Sequence, residues 1–497
     1  MESSQRREPV YAPSDFSRRE AAAREQTVAE LDAHAGERDR WRQRNAYYYE
    51  AIERLVKFVV PEGARVIEIG SGTGDLLAAL RPSEGVGVDI SPRMVDLARA
   101  KHPGLEFVVA DAETLDAPAL EGRTFDYVVM SDVVGQLSDV WAAFRSLRRL
   151  CHPRTRIFIS YYNFVWEPLL RAGERVGLKM PIAQQNWLGM QDLRNLLELN
   201  HLEVIRAGTA MLVPRKIPLV SSLANRYLAR LPGLRHLCLT QFFVARMGSA
   251  GPIPTRDLSC TVVVPCRNER GNIDDIIART PDLGRGTELL FVDGNSDDGT
   301  VEAIEAHLHK NTRANVRLIH QGDGKGKGDA VRKGFAAATG EALFILDADL
   351  TVPPEDLPKF YAALAEGRGE FVNGSRLVYP MEGKAMRWLN LLGNKFFGVA
   401  LSTILEQRLK DTLCGTKVLL RRDYERIADG RSFFGDFDPF GDFDLLFGAA
   451  KQNLKIVEMP VRYRDRTYGE TKISRFRHGW LLAQMTAHAF RKFRLAY

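Results

Sequence analysis

The sequence predicts an α/β protein made of two doubly wound domains in series, and three observations predict it. Short β-rich apolar runs alternate with segments of helical character along most of the 497 residues, the pattern of parallel sheets flanked by helices. The alternation stops at GSAGPIPTRDLS, residues 248–259, which has almost no bulky apolar residue, and then restarts. The two halves share no motif period, so the chain reads as a fusion and not as an internal repeat. We divide it into a polar extension (1–40), a first domain (41–248), a linker (249–258) and a second domain (259–497).

At 45% hydrophobic and 27% charged residues the chain has material for more than one core. Cys151, Cys238, Cys260, Cys266 and Cys414 are scattered without a CxxC. That argues against a disulfide frame or a zinc site and predicts a reducing compartment. MESSQRREPVYAPSDFSRRE at the start lacks an apolar h-region, so no secretory signal is expected. No run reaches the roughly 20 apolar residues of a spanning helix. Of the net charge of +6, residues 461–497 carry nine Lys and Arg against Asp465 and Glu470. A basic end suits nucleic acid, an anionic membrane surface or phosphate-bearing substrates. Aromatic interleaving is weak there, so no nucleic-acid partner is expected.

Residues 1–40 show a helical pattern from about Ser17 and read as a mobile extension or a lid helix. WRQRNAYYYEAIERLVKFVV (41–60) has helical spacing. ARVIEIG (64–70), EGVGVDI (84–90), LEFVVAD (105–111), FDYVVMS (125–131), TRIFISYY (155–162), LEVIRAG (202–208) and QFFVARM (241–247) are the strands expected of the first domain. VIEIGSGTGDLLAAL (66–80) reads as strand, turn and helix. Gly70, Gly72 and Gly74 permit close backbone approach to a ligand where a helix N-terminus offers free N–H groups. Asp89 ends the next strand, where a carboxylate can bind ribose hydroxyls, and Asp111 follows the third in VADAETL.

These residues resemble the class I S-adenosylmethionine-dependent methyltransferases over about 41–248. The resemblance implies a Rossmann-like domain with S-adenosyl-L-methionine as cofactor. Glu68 and the turn Gly70, Ser71, Gly72 and Gly74 would line its amino-acid end, Asp89 would hold the ribose, and Asp111 with Ala112 would flank the adenine. The turn is GxGxG and not the GxGxxG of a dehydrogenase. After the fourth strand stands MSDVVGQL in place of the Asn-Pro-Pro-aromatic motif of amide and nucleobase N-methylases, so an oxygen or carbon acceptor is expected. Methyl transfer is an in-line displacement in which orientation supplies most of the catalysis. Asp132, His152 and Tyr161 are candidates for a base or orienting group.

In the second half CTVVVPC (260–266), ELLFVDG (288–294), VRLIHQ (316–321), ALFILDAD (342–349) and EFVNGSR (370–376) are the expected strands. Their ends carry ligand-type side chains: Pro265, Arg267, Asn268 and Glu269 at the first, and Asp293 at the second. QGDGKGKGDAVRKGF (321–335) lacks P-loop spacing but lets Lys325 or Lys327 approach an anion. In FILDADL, Asp347 and Asp349 read as two residues of one strand that point to the same side. Like charges that close need a cation or an unusually wet site.

Together these motifs resemble the family 2 glycosyltransferases of the dolichol-phosphate mannose synthase type over about 259–480. The resemblance implies a nucleotide-diphospho-sugar transferase (GT-A type) domain with a nucleotide-sugar donor and a polyprenyl phosphate acceptor. Asp347 and Asp349 would hold Mg²⁺ or Mn²⁺ against the donor diphosphate. Pro265, Arg267, Asn268, Glu269, Asp293, Lys325 and Lys417 would bind substrate, Lys417 from DTLCGTKVLLRR on the acceptor side. Arg376 in NGSRL would meet the acceptor phosphate, and Arg464 and Lys472 in RYRDRTYGETKISRF would close over phosphates. DFDPFGDFDLLFGA places Asp442 and Asp444 at a predicted helix start. Asp442 keeps a second reading open, as general base for a sugar hydroxyl of a glycan or glycolipid. In that reading the first domain binds S-adenosylmethionine without turnover. Gly294 where a second acid is common and Thr351 after DADL leave the nucleotide and sugar open, and on the acceptor side Cys414 stands where serine is usual.

KAMRWLNLLGNKFFGVALSTILEQ (384–407) and HGWLLAQMTAHAF (478–490) suit helices that lie in a membrane interface. The sequence therefore predicts a bifunctional enzyme that transfers sugar with inversion and with a metal, and also transfers a methyl group. It is expected to be cytoplasmic, peripheral at the cytoplasmic face of the membrane.

Overall fold

The computed structural model describes residues 15–181, 185–231, 233–248, 255–324, 326–376, 388–433, 443–461, 468 and 475–496. The chain divides into two units, Met1–Gly248 and Ser249–Tyr497, each built on a seven-stranded sheet.

The first sheet comprises β1 (Arg65–Ile69), β2 (Glu84–Asp89), β3 (Glu106–Val109), β4 (Phe125–Ser131), β5 (Cys151–Tyr162), β6 (Leu202–Ala210) and β7 (Thr240–Met247). Their order is β3-β2-β1-β4-β5-β7-β6. Val66, Ile67, Val86, Val128 and Val129 are sealed from solvent, because helices cover both faces of a parallel sheet. The expectation of a purely parallel sheet needs correction at β7, which runs antiparallel to both β5 and β6. Residues 211–239 carry the chain from Ala210 back to Thr240 at the same edge, so no crossover turns the strand round. Helix α1 (Asp15–His34) belongs to this unit and packs on the helix Pro92–Lys101.

The second sheet comprises β8 (Cys260–Cys266), β9 (Thr287–Asp293), β10 (Val316–His320), β11 (Ala342–Ile345), β12 (Phe371–Ser375), β13 (Lys417–Leu420) and β14 (Ile456–Pro460). Their order is β10-β9-β8-β11-β13-β12-β14, with β13 antiparallel to its neighbours. Strand β13 lies in a segment the sequence marks only as a motif, and β14 lies between two motifs, in a segment it does not mark. The aspartate pair is a further correction. The ladders end at Phe344↔Val418 and Ile345↔Val263, so β11 stops before Asp347 and the pair stands on the turn beyond it. Alternation persists through that turn: Ala348 is buried between the half-buried Asp347 and Asp349.

The helices Trp388–Leu405 and Arg475–Arg494 pack against each other, tied by the Arg494 guanidinium on Glu406 and on the Thr403 carbonyl. Among the described residues no helix is long and apolar enough to cross a membrane. None of the five cysteines is in a disulfide.

Candidate functional site

In each sheet the strand order reverses beside its first strand, between β1 and β4 in one unit and between β8 and β11 in the other, while these pairs stay parallel. Open α/β sheets hold ligands at the carboxyl ends of strands at such a point.

In the first unit, Gly70, Gly72 and Gly74 all have positive φ (74, 52 and 77°), which only glycine adopts without strain. A Cβ on Gly70 would meet Val133 at 2.6 Å, and one on Gly74 would meet Phe107 at 2.5 Å. The turn bounds an open pocket with about 850 Å³ of empty space, whose walls include Gly70, Gly72, Asp89, Asp111, Ala112 and Asp132. Asp89 accepts from the Gly72 amide at 2.8 Å and the Ser91 amide at 3.0 Å. Burial raises its pKa, and these amides oppose the rise. Glu68, just under the turn, is buried with no partner for Oε2. Burial pushes its carboxyl up to about 8, with the Leu77 amide and the Arg42 charge opposing. Ser71 Oγ is likewise buried and unpartnered.

The pocket has a roof the motifs do not announce. Arg24 of α1 donates through Nε to Glu113 at 3.0 Å, also engages it through Nη2, and lies 3.4 Å from Asp111 Oδ2. Glu113 is fixed from the other side by the amides of Ser138 (2.7 Å) and Asp139 (2.9 Å). Asp32 of α1 accepts from the Ser91 hydroxyl and from the Arg93 amide at 3.2 Å. Thr27, Leu31 and Arg38 complete that wall.

On the acceptor side, Asp132 ends in the left-handed region at φ 58°. It accepts from Tyr48 Oη at 2.6 Å and from Ser160 Oγ at 3.3 Å. Burial raises its pKa against these two hydrogen bonds. The other two acceptor-side candidates are not brought to it. His152 lies at the opposite end of β5, where its Nε2 is 3.2 Å from Asp126. Tyr161 points into the core, stacked on Phe243 with its hydroxyl unpartnered. Its neighbour Tyr162 faces Tyr48, ring centroids 5.8 Å apart, because strand residues alternate faces.

In the second unit the ends of β8, β9 and β11 converge. Asn268 has φ 59° and pairs with Asp297 in both directions, at 2.7 and 3.0 Å. Glu269 accepts from Asn272 at 2.8 Å, Arg267 is exposed, and Pro265 lies within β8 opposite Val292. Asp293 is buried and accepts from the Asn295 and Ser296 amides at 3.1 and 3.2 Å. A Cβ on Gly294 would stand 3.1 Å from Gln321 Oε1 and 3.4 Å from the Arg267 Cβ, so a side chain there would need the Gln321 amide to yield slightly.

Lys327 Nζ sits 2.7 Å from Asp347 Oδ1. Burial alone would raise Asp347, yet Lys327, and behind it Lys417 and Arg376, hold it below the usual carboxylate range. Asp349 accepts from the Thr351 hydroxyl at 2.7 Å and amide at 3.1 Å. Gly415 makes this closeness possible: a Cβ there would lie 2.0 Å from Asp347 Oδ2 and 2.5 Å from Lys327 Nζ. The glycine is visible in DTLCGTK, but nothing in the sequence says what faces it.

Two expected ligand cations are engaged with the protein itself. Arg376 forks onto the buried Asp411, Nε to Oδ2 at 2.7 Å and Nη2 to Oδ1 at 2.8 Å. Lys417 is fully buried and donates to the Cys414 carbonyl at 2.5 Å. Asp444 is buried in the first turn of the helix Phe443–Lys451, 3.3 Å from Arg431 and 3.9 Å from Arg332. Lys325, Asp442, Arg464 and Lys472 lie outside the described residues. Among the described residues no three His, Cys, Asp or Glu side chains gather as a metal site. The paired carboxylates of Asp347 and Asp349 do fit a hard divalent ion that takes its remaining ligands from substrate phosphates and water.

The family profile for Glycosyl transferase family 2 matches residues 261–427, and a Methyltransferase domain profile matches 40–207. A dolichol-phosphate mannosyltransferase of Pyrococcus furiosus is 29% identical over 225 residues, 44% of this chain and 59% of that protein. One of Saccharomyces cerevisiae is 41% identical over 109 residues, 21% of this chain and 40% of that protein. The chain thus spans about half the length of these relatives. An uncharacterized glycosyltransferase of Mycobacterium tuberculosis is 30% identical over 226 residues, 45% of this chain and 93% of that protein. Among solved structures, a methyltransferase of Thermotoga maritima described as a possible histamine N-methyltransferase aligns with TM-score 0.36 and 19% identity. It covers 44% of this chain and 99% of its own.

Proposed function

We propose, from the premise that this chain belongs to glycosyl transferase family 2 and carries an S-adenosylmethionine-dependent methyltransferase domain ahead of it, that the second unit transfers a sugar from a nucleotide-sugar to a polyprenyl phosphate. The observation that carries this reading is Asp347, kept ionised by Lys327, Lys417 and Arg376 beside Asp349 at the end of β11. In the reaction an acceptor phosphate oxygen forms a bond to the sugar's anomeric carbon from the face opposite the leaving group. The bond to the donor diphosphate breaks, and its electron pair leaves with the nucleoside diphosphate. Asp347 and Asp349 would hold Mg²⁺ or Mn²⁺, which when bound supplies positive charge to the departing diphosphate. Asn268, Glu269 and Asp293 fix the strand-end loops around the nucleotide, and Arg376, braced by Asp411, orients the acceptor side.

A phosphate monoester is largely ionised at neutral pH, with a second pKa of about 6, and needs positioning rather than a base. Asp444 is ion-paired with Arg431 and Arg332, so the sugar-hydroxyl reading rests on Asp442 as its base. Phe396, Val399 and Trp480 stand exposed on the two paired helices and support peripheral attachment at a membrane surface; we place that attachment on the cytoplasmic face.

In the first unit the glycine turn and Asp89 would hold S-adenosylmethionine, Asp111 and Ala112 would face its adenine, and Asp132 would accept the proton of an oxygen acceptor. The test is transfer of labelled sugar to a polyprenyl phosphate by the intact chain. Activity should vanish with chelator, return with Mg²⁺ or Mn²⁺, and fall at least about 100-fold in Asp347→Asn. Chelator-resistant transfer, or transfer only to sugar hydroxyls, would overturn the reading.

A further inference from the structure

Residues 211–239, which connect β6 to β7, turn apolar side chains outward. Leu219 is 87% exposed, Leu223 58% and Val220 53%, with Leu231 and Leu237 exposed as well. The turn Phe164–Trp166 extends this face with exposed Phe164 and is fastened to it by Trp166 Nε1 on the Leu237 carbonyl at 2.7 Å. A soluble surface rarely shows so much contiguous apolar area without a partner.

The backbone beneath is well anchored. Ser221 and Ala224 are buried. Asn225 accepts from the Val213 amide and donates to its carbonyl, both at 2.8 Å, and reaches Tyr47 Oη at 3.0 Å. Leu219 is held at φ 62°, a region that branched side chains avoid. The leucines are therefore presented by fixed structure.

The charge pattern names the occupant. Arg215, Lys216, Arg226 and Arg235 are exposed, Arg230 turns inward to the Thr209 carbonyl, and the segment contains no Asp or Glu. We propose that 211–239 is a membrane-docking face of the first unit whose occupant is the headgroup region of an anionic bilayer. Leucine side chains enter the acyl boundary while arginines and lysine meet lipid phosphates. A second copy docking through the same face would set these cations against their own kind. Thr240 stands opposite both Ala210 and Tyr162, so the face lies at the sheet edge that carries Asp132 and the cofactor pocket. A lipid-borne methyl acceptor could reach Asp132 from the bilayer surface. The docking rests on this surface and not on either reaction proposed above.

Hydrogen exchange of the intact chain tests it, with phosphatidylcholine–phosphatidylglycerol vesicles against pure phosphatidylcholine. Exchange across 211–239 should slow about tenfold with the anionic vesicles and much less with the neutral ones. The double variant Leu219→Asp/Leu223→Asp should lose that slowing while its thermal unfolding stays unchanged, since both positions are exposed. Peptides from 388–405 and 475–494 report the second unit separately, so the two attachments stand or fall independently. Unchanged exchange across 211–239 overturns the proposal whatever the second unit does. Slowing that follows protein concentration without lipid overturns it in favour of self-association.

Discussion

Glu68 retains its proton to about 8 in the folded chain, whereas an unfolded glutamate gives it up near pH 4.3, at about 5 kcal/mol of difference. Its contribution to stability is therefore fully present below about pH 4.3 and is lost as pH rises through about 8. Glu68→Gln should flatten the fall in stability of the first unit between pH 5 and 8, measured by denaturant titration at each pH. A cationic cofactor beside the carboxyl favours its ionised form. S-adenosylmethionine binding at pH 7 should thus release up to one proton, seen as calorimetric enthalpies that differ between phosphate and Tris buffers. Glu68→Gln should make the two enthalpies agree. Asp132 makes a second residue-level claim: Asp132→Asn should lower methyl transfer by about 10²–10⁴-fold, with cofactor affinity unchanged by calorimetry. The sequence singled out Asp132 and the glycines because their chemistry is carried by residue type and turn. It named Tyr161, whose ring turns into the core, because a strand's face cannot be read without its register, and it missed Gly415 because what crowds it comes from residues far apart in the chain.

At the scale of elements, α1 is more than a polar leader. Its sequence shows helical pattern but no strong apolar stripe, since much of what it contributes is ionic: Arg24 to Asp111 and Glu113, Asp32 to the start of the helix Pro92–Lys101. Removing one clasp from a lid should speed ligand escape. Arg24 is about a third exposed, so screening reduces the value of its pair to about 1 kcal/mol. Arg24→Ala should release bound S-adenosylhomocysteine about fivefold faster in stopped-flow displacement, and unchanged release would mean that the roof does not gate the pocket. Parallel strands such as β8 were legible because they are apolar throughout. β13 opens on the buried Lys417, leaving only Val418–Leu420 as an apolar run, and β14 is an edge strand, half-buried along most of its length. Neither leaves the signature of a covered strand.

At the scale of the molecule, each unit has its own sheet and its own sealed core. Calorimetric unfolding should therefore show two transitions. S-adenosylhomocysteine at 100 times its Kd should stabilise one of them by about 2.7 kcal/mol and leave the other in place; movement of both together would show that the units unfold as one. The break near 249–258 and the restart of alternation made the two-part plan legible from composition alone. The direction of β7 was not, because it depends on where a long connection returns and not on the strand's own residues. The α1 clasp has a consequence for how such a chimaera can be taken apart or recombined. A splice made at residue 41, where the strand-and-helix alternation begins, would separate Arg24 and Asp32 from the pocket they cover. A cassette exchange that keeps this pocket whole has its junction upstream of Asp15, so the heritable part is larger than its motifs.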